Sequence, residues 1–168
     1  EALRRAGVSG ALVRVGARPS PIAAARCWDV SVVGIAGAAQ ALRHVADEVD
    51  GSGMPGAGGP IAAVFVEAAA DLVGTEAEAE LERLVKAARA RRLLLVAEAE
   101  TSEWSGGWGP LSDLRNARTG LLLQPEPHDG DALLRTQLPL FKQIDLPPGR
   151  GFWVRGARVS KVQIPLVR

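Results

Sequence analysis

The run IAAVFV at residues 61–66, followed directly by Glu67, is the stretch that decides the fold. Apolar side chains occupy both alternating positions of this run, which is typical of a central strand covered on both faces. Strands of that kind occur mainly in parallel sheets whose crossover helices lie on the two faces. The run therefore predicts an α/β fold.

Short apolar runs alternate with helical patterns on both sides of this strand. Further strands are predicted at residues 11–15, 29–35, 93–97 (buried) and 120–124, and a hairpin at residues 152–167 about Gly156-Ala157. Helices are predicted where apolar residues recur at helical spacing, at residues 38–49, 76–91 and 111–117. The pattern predicts a mostly parallel central sheet with a C-terminal antiparallel hairpin.

The connecting segments are predicted from their turn residues and charges. Ser20 is expected to cap a short helix that runs to Cys27. The helix at residues 38–49 should fray at its carboxyl end, where the helix dipole disfavours Asp47, Glu48 and Asp50. Residues 50–60 and 125–150 are rich in Gly or Pro, so both are expected to be loops, the second lying over the surface.

Composition limits the functions that this chain can have. Its 168 residues, 47% of them hydrophobic, suit one core, so residues 1–168 are expected to form a single domain. A formal net charge of +1 gives no basic surface for free-standing DNA recognition. Apolar runs are far shorter than the roughly 20 residues that span a bilayer, so no membrane insertion is expected. The chain has a single cysteine and two distant histidines, so we expect no internal disulfide and no metal site. The cysteine content favours a cytoplasmic protein.

Several chemistries have no support in the sequence. The Gly-x-Ser-x-Gly setting of a serine nucleophile is missing. Residues 53–59 are glycine-rich, but no Lys follows and they precede a strand, so they are not a phosphate-binding loop. Cys27 and the tryptophans are expected to serve in packing. We therefore assign no catalytic residue and no metal ligand on these grounds.

Glu67 is the strongest candidate for a functional side chain. Nucleotide-hydrolysing folds hold Mg²⁺ with a carboxylate at the end of such a strand, and a second carboxylate activates the attacking water. Here Ala68 stands in the second place, with Asp71 three residues later, and a methyl group accepts no proton. The alternative is that Glu67 caps the following turn at a sheet edge, and both interpretations stay open at this point.

The chain resembles the FtsK/SpoIIIE ATPases, in particular the ATPase modules of actinobacterial FtsK-like and type VII secretion (EccC/EssC) proteins. The resemblance runs in order through VRVGARPSP at residues 13–21, AAVFVEAAADL at residues 62–72, the helix and strand at residues 81–97, LRNARTGLLLQP at residues 114–125, PPGRGFWV at residues 147–154 and residues 159–165. It implies a P-loop NTPase-like (RecA/FtsK-type) three-layer fold.

The same resemblance implies roles for several polar residues. Glu67 and Asp71 would lie on the Mg²⁺ side of a Walker B motif, and Thr101 and Ser102 where relatives often place a sensor of the terminal phosphate. Three arginines would reach a neighbouring subunit's nucleotide, namely Arg115, Arg118 and Arg150. The alternatives are a capping pair for the threonine and serine, and solvated or sheet-end side chains for the arginines.

Departures from the family pattern decide the functional expectation. The Walker A loop should precede the first helix, whose end residues 1–5 resemble, so we expect a domain truncated at its N-terminus. Family members close Walker B with two acidic residues, whereas this chain has Glu67-Ala68. ATP and Mg²⁺ are the family's cofactors, and none is expected to bind this fragment.

Three functional hypotheses follow. The first is a degenerate, catalytically inactive module that serves as scaffold, regulator or substrate-recognition part of a translocation or secretion motor. Its partners would be neighbouring ATPase modules and a secreted protein or DNA, and the parent protein would be tethered at the cytoplasmic face of the membrane. The second is a fragment of an active DNA- or protein-translocating motor whose Walker A loop lies elsewhere. The third is a regulatory module that retains nucleotide without cleaving it.

Overall fold

The computed structural model describes residues 5, 8–16, 20, 22–25, 27–51, 61–90, 93–106 and 108–164. They fall into two compact units. The first unit comprises residues 1–100 and 108–110, and the second comprises residues 101–107 and 111–168. The first unit contains a parallel sheet with helices, and the second contains an antiparallel sheet. The predicted α/β class, with a mostly parallel sheet and a C-terminal antiparallel hairpin, is confirmed.

Within the described residues, the parallel sheet has four strands in the order β2-β1-β3-β4. Their bounds are Ser9–Arg14 (β1), Val30–Val33 (β2), Ile61–Glu67 (β3) and Leu94–Ala97 (β4). Four β3 residues on both faces are buried: Ile61, Ala63, Val64 and Val66. The predicted central strand is therefore confirmed. Strand β4 was expected to be buried, but it is an edge strand whose Leu94 and Val96 are 49% and 39% exposed, so that expectation is wrong.

Two helices of this unit have both ends within the described residues, α1 at Ile35–Asp50 and α2 at Glu78–Arg89. Their buried residues repeat at helical spacing, including Leu42 and Val45 on α1 and Leu81 and Leu84 on α2. The prediction that α1 frays is wrong, because the helix continues to Asp50 and ends on Gly51 at a φ of 76°. Arg83 of α2 neutralises the acidic last turn by pairing with Asp47 and Asp50.

Arg83 on α2 binds three carboxylates. Its Nη2 lies 2.8 Å from Asp47 and 2.9 Å from Asp50 on α1, and its Nη1 lies 2.8 Å from Glu80. These bonds raise the pKa of Arg83, those from Asp47 and Asp50 most. Burial alone would raise the pKa of Glu80, but hydrogen bonds from Arg43 (3.0 Å) and Arg83 outweigh it, so that pKa lies below its ordinary value. The network fastens α1 to α2.

The second unit is built on a three-stranded antiparallel sheet of order β5-β6-β7. Its strands are Thr119–Leu123 (β5), Arg150–Arg155 (β6) and Arg158–Gln163 (β7), and its helices are Thr101–Ser105 (α3), Pro110–Asn116 (α4) and Asp129–Leu134 (α5). The hairpin turn at Gly156-Ala157 is confirmed. Leu133 and Leu134 on α5 pack against Val154 to form the core.

Two predicted connections differ from the structure. Residues 125–150 are not a surface loop throughout, because they contain α5, a 3-10 turn at Gln143–Asp145 and the buried Leu146. Apolar burial of Leu133 and Leu134 outweighs the prolines around them. Ser20 does not begin a helix in the described residues 22–25 and 27, which form turns. The predicted loop at 50–60 lies outside the described residues from 52 onward.

The longest described helix, α1, has 16 residues. Within the ranges that the structure describes, no helix is both long and apolar enough to cross a membrane.

Candidate functional site

The carboxyl ends of the four parallel strands form one side of the first unit. We call this side the carboxyl edge and define it by Arg14, Ser20, Gly34, residues 67–71 and Glu98. In open α/β sheets, ligands bind outside the carboxyl ends of the strands. The sequence predicted Glu67 at such an end, and β3 does end at Glu67, in register with Arg14 of β1.

The Glu67 carboxylate forms a hydrogen bond with another residue of the same chain. The hydroxyl of Ser20 donates a hydrogen bond to Oε1 of the Glu67 carboxylate. Both residues are half-buried, so water competes only in part for this bond. The sequence had predicted Ser20 as a helix cap, and no local pattern indicated a partner in β3.

Trp28 anchors the segment that contains Ser20. Its indole ring packs edge-on against Phe65 of β3 at a centroid distance of 5.0 Å, and its Nε1 donates to the carbonyl of Ile22 at 2.7 Å. Gly10 of β1 donates its N–H to the Asp29 carboxylate at 2.8 Å. A Cβ at Gly10 would lie 3.4 Å from the Trp28 ring, so the ring rests directly on the β1 backbone. Trp28 thus has the packing role expected of it.

The turn after Glu67 has an unusual backbone. Ala68 adopts the left-handed conformation, with φ 54° and ψ 49°, which costs an L-residue about 1–2 kcal/mol. Its N–H donates to Oε2 of Glu98 at 3.2 Å, and the N–H of Ala69 donates to the Glu98 carbonyl at 2.8 Å. The Glu98 N–H in turn donates to the carbonyl of Val66 at 2.9 Å. Glu98 therefore fastens this turn to the end of β4.

Sequence reasoning missed Glu98. A signal for it existed, since it is the acidic residue that directly follows the strand predicted at 93–97. Carboxyl ends of parallel neighbours meet at the same edge of a sheet, which would have placed it beside Glu67-Ala68. The pairing of β3 with β4 was needed to see this.

Asp71 lies in the 3-10 turn Ala69–Leu72 and is exposed, with its N–H donating to the carbonyl of Ala68 at 3.0 Å. Across all residues that the structure describes, no three His, Cys, Asp or Glu side chains are grouped to hold a metal ion. Mg²⁺ bound with nucleotide needs only one or two carboxylates, because phosphates supply further ligands. Glu67 and Glu98 are the carboxylates that follow β3 and β4, and Ala68 contributes none. The Mg²⁺ role of Glu67 and Asp71 stays a prediction.

The amino end of α1 also belongs to the carboxyl edge. The helix starts directly after β2 at Gly34, whose φ is 86°, and no side chain caps it. Its first turn has no acidic residue. The positive end of the helix dipole therefore lies at one side of the edge and the carboxylates of Glu67 and Glu98 at the other.

Thr101 and Ser102 are the first two residues of α3, and both are exposed. The Ser102 carbonyl accepts a hydrogen bond of 2.8 Å from the Ser105 hydroxyl. They belong to the second compact unit, whereas Glu67 belongs to the first. Their sensor role stays a prediction.

The three candidate arginines are not brought together. Arg115 donates to the Ser105 carbonyl at 3.2 Å, and the Arg118 carbonyl accepts the N–H of Gly156 at 2.7 Å. Arg150 lies at the other end of β6, where its Nε donates to Gln163 at 3.0 Å. The six residues of β6 separate Arg118 from Arg150 by about 17 Å. These three arginines therefore do not form one cluster. The action of each on a neighbouring subunit's nucleotide stays a prediction.

Two solved structures are similar to this chain. The cytoplasmic domain of EssC is 17% identical, with a TM-score of 0.60, over 95% of this chain and 34% of that chain. EssC (ATPases 2 and 3) from Geobacillus thermodenitrificans is 18% identical, with a TM-score of 0.62, over 95% and 32%. The fold is that of a P-loop ATPase domain.

This likeness shows the fold alone, because identity is low. The chain spans about a third of the length of the two EssC structures. No family model matches it, and no curated protein matches it. The P-loop ATPase fold that the sequence resemblance implied is confirmed.

Proposed function

We propose that this chain is a degenerate ATPase module of a translocation or secretion motor of the FtsK/SpoIIIE kind. It serves as scaffold, regulator or substrate-recognition part and does not hydrolyse ATP itself. Its fold and its likeness to the EssC ATPase domains support the motor assignment.

The proposal that the module is inactive rests on the side chains and hydrogen bonds at the carboxyl end of β3. The position that would supply the base is Ala68, its N–H is bound by Glu98, and the Glu67 carboxylate is bound by Ser20. A site that activates water needs a free carboxylate to accept the proton. Here protein groups stabilise the turn where that chemistry would take place.

Partners follow from the same assignment. One of the two similar structures contains ATPases 2 and 3 of EssC, so neighbouring ATPase modules are the first partners that we propose. A secreted protein, as in type VII secretion, or DNA would be the substrate of the whole motor. We place the module on the cytoplasmic side of the membrane, to which the parent protein would be tethered.

An active motor is the second candidate, and the position of Glu67 at the tip of β3 favours it. In that case Glu67 would ligate Mg²⁺ with a nucleotide held by a Walker A loop outside these residues. Thr101 and Ser102 would sense the terminal phosphate, and Arg115, Arg118 and Arg150 would act on a neighbouring module.

Isothermal titration of the 168-residue chain with Mg²⁺-ATP is the first test. We expect no heat of binding, and a micromolar dissociation constant without hydrolysis would replace our proposal with a regulatory module that retains nucleotide. The second test introduces Glu67→Gln into the full-length protein, with Glu76→Gln, at an exposed position outside the carboxyl edge, as a matched control. ATP turnover should not change, and a loss of tenfold or more for Glu67→Gln alone would establish the active motor.

A further inference from the structure

One face of the antiparallel sheet is turned away from α5. Leu122 and Val154 lie on the face that packs on this helix, so the residues that alternate with them lie on the other face. Strand pairing arranges those residues in three rows across the sheet, namely Leu123-Gly151-Val162, Leu121-Trp153-Ser160 and Thr119-Arg155-Arg158. We call these three rows the outer face.

The outer face is apolar at one end. Leu123 in the first row is 48% exposed. Ile164, which follows β7 by one residue and continues its alternation, is 41% exposed. The N–H of Ile164 donates to the Gly149 carbonyl at 2.7 Å, so the pairing between the two chain segments extends this far. Adjacent exposed apolar side chains are typical of a surface that contacts a membrane or another protein.

The opposite end of the outer face is cationic. Arg155 and Arg158 lie directly opposite each other on β6 and β7, and both are exposed. Arg118 is also exposed and lies at the same end, because its carbonyl accepts the N–H of Gly156 at 2.7 Å. Like charges that lie directly opposite destabilise a sheet, so an anion bound at this end would relieve the repulsion.

The cationic end has no acidic neighbour to neutralise it. Strands β5, β6 and β7 contain no Asp or Glu. Among the residues that the structure describes, no carboxylate lies within ion-pair distance of Arg118, Arg155 or Arg158. Their charges are therefore available to an anionic partner.

Trp153 lies between the two ends. Its row is about 7 Å from each of the other two rows, since two residues separate them along a strand. Trp153 is 42% exposed, and Leu121 directly opposite is 41% exposed. The order along the outer face is therefore aliphatic, indole, guanidinium. The interface of a lipid bilayer has the matching order of hydrocarbon, the headgroup level where Trp is enriched, and phosphate.

Nucleic acid fits the outer face less well. Single strands stack their bases on aromatic side chains at successive positions, whereas Trp153 is the one aromatic residue on this face. Aliphatic groups such as Leu123 and Ile164 contribute little to contacts with a phosphate backbone. A bilayer uses all three kinds of group.

We propose that the outer face binds the surface of an anionic lipid bilayer without crossing it. Leu123 and Ile164 enter the boundary between headgroups and acyl chains, and Trp153 lies among the headgroups. Arg155 and Arg158 pair with lipid phosphates, which match the forked donors of arginine. This inference does not depend on the proposed function.

Flotation of the 168-residue chain with lipid vesicles tests the proposal. Vesicles made of equal parts phosphatidylglycerol and phosphatidylcholine should carry the chain upward at millimolar lipid, and phosphatidylcholine alone should not. Salt at about 0.5 M should release the chain, because it screens the attraction between arginines and anionic lipid.

Charge variants show whether this face carries the binding. The double variant Arg155→Gln with Arg158→Gln should lower the partition coefficient by about tenfold or more. The matched control is Lys142→Gln with Lys161→Gln, which removes two exposed cations from the other side of the sheet and should lower it by less than about threefold. Lys161 is opposite the buried Phe152, on which Phe141, the neighbour of Lys142, packs at 5.3 Å.

Apolar variants test the depth of the contact. Leu123→Gln should weaken binding severalfold, whereas Leu140→Gln, at an exposed position outside the outer face, should not. Lipids brominated on their acyl chains should quench tryptophan fluorescence in the unaltered chain and much less in Trp153→Phe. The melting temperature of each variant shows that it is folded.

Three outcomes would overturn the proposal. The first is no flotation at millimolar anionic lipid. The second is an equal loss of binding in the arginine and lysine double variants, which would show attraction without an oriented face. The third is a 20-nucleotide single-stranded DNA that binds the chain and is lost with Arg155→Gln and Arg158→Gln, while vesicles stay unbound. That outcome would assign the outer face to nucleic acid.

Discussion

The Ser20 hydroxyl donates a hydrogen bond to the carboxylate of Glu67, 47 residues later in the chain. It links the segment that follows β1 to the tip of β3, at the edge where open α/β sheets bind ligands. A half-buried acceptor that has a hydrogen-bond partner within the protein avoids the cost of an unsatisfied polar group. Glu67 therefore has a structural partner in this chain, whatever else it binds.

Ser20→Ala should lower the free energy of unfolding by about 1–2 kcal/mol, because it leaves a half-buried carboxylate without its donor. Urea denaturation followed by circular dichroism measures this change. Ser31→Ala, at an exposed position of β2, is the matched control and should change stability by less than about 0.5 kcal/mol. Equal effects of the two variants would show that the bond contributes nothing.

Ala68→Gly should raise stability by about 0.5–1 kcal/mol. Glycine removes the left-handed strain at φ 54°, and this gain exceeds the added entropy of the unfolded chain. Ala63→Gly is the control, because Ala63 is fully buried within β3 and should lose about 1 kcal/mol. A destabilised Ala68→Gly variant in thermal unfolding would contradict the assigned backbone conformation.

Arg83→Met should destabilise the chain by about 1–2 kcal/mol, since the change leaves Asp47, Asp50 and Glu80 close together without their shared cation. The loss is small because water screens the ion pairs of the Arg83 side chain, which is 35% exposed. Lys86→Met, on the exposed side of α2, is the control and should be nearly neutral in the same urea experiment. High salt should weaken the effect of Arg83→Met.

Stability should fall in acid because of Glu80. Its pKa is lower in the folded chain than in the unfolded chain, so the unfolded state binds more protons as the pH drops. The contribution of Glu80 is complete above its unfolded pKa, near pH 4.5, and is lost as the pH falls through the lower folded pKa. As the pH falls below 4.5, the free energy of unfolding should decline less steeply in Glu80→Gln than in the unaltered chain. Parallel slopes would show that Arg43 and Arg83 do not hold this carboxylate.

The sequence by itself determined the central strand, the main helices and the hairpin. Apolar side chains at both parities of residues 61–66 require cover on two faces, and helical spacing in α1 and α2 requires one buried face each. These signals are local, because period and turn chemistry act over a few residues. The sequence also determined that position 68 has no acid, which is the basis of the proposed function.

Tertiary structure alone decided which polar groups meet. Ser20 and Glu98 reach the β3 tip from positions 47 and 30 residues away, and no periodicity encodes a partner at such a distance. The burial of Leu133 and Leu134, and the arrangement of strands that leaves β4 and β5 at sheet edges, likewise depend on contacts between distant segments. These contacts depend on how the strands and helices pack together, because packing decides which distant backbone and side-chain groups come within hydrogen-bonding distance.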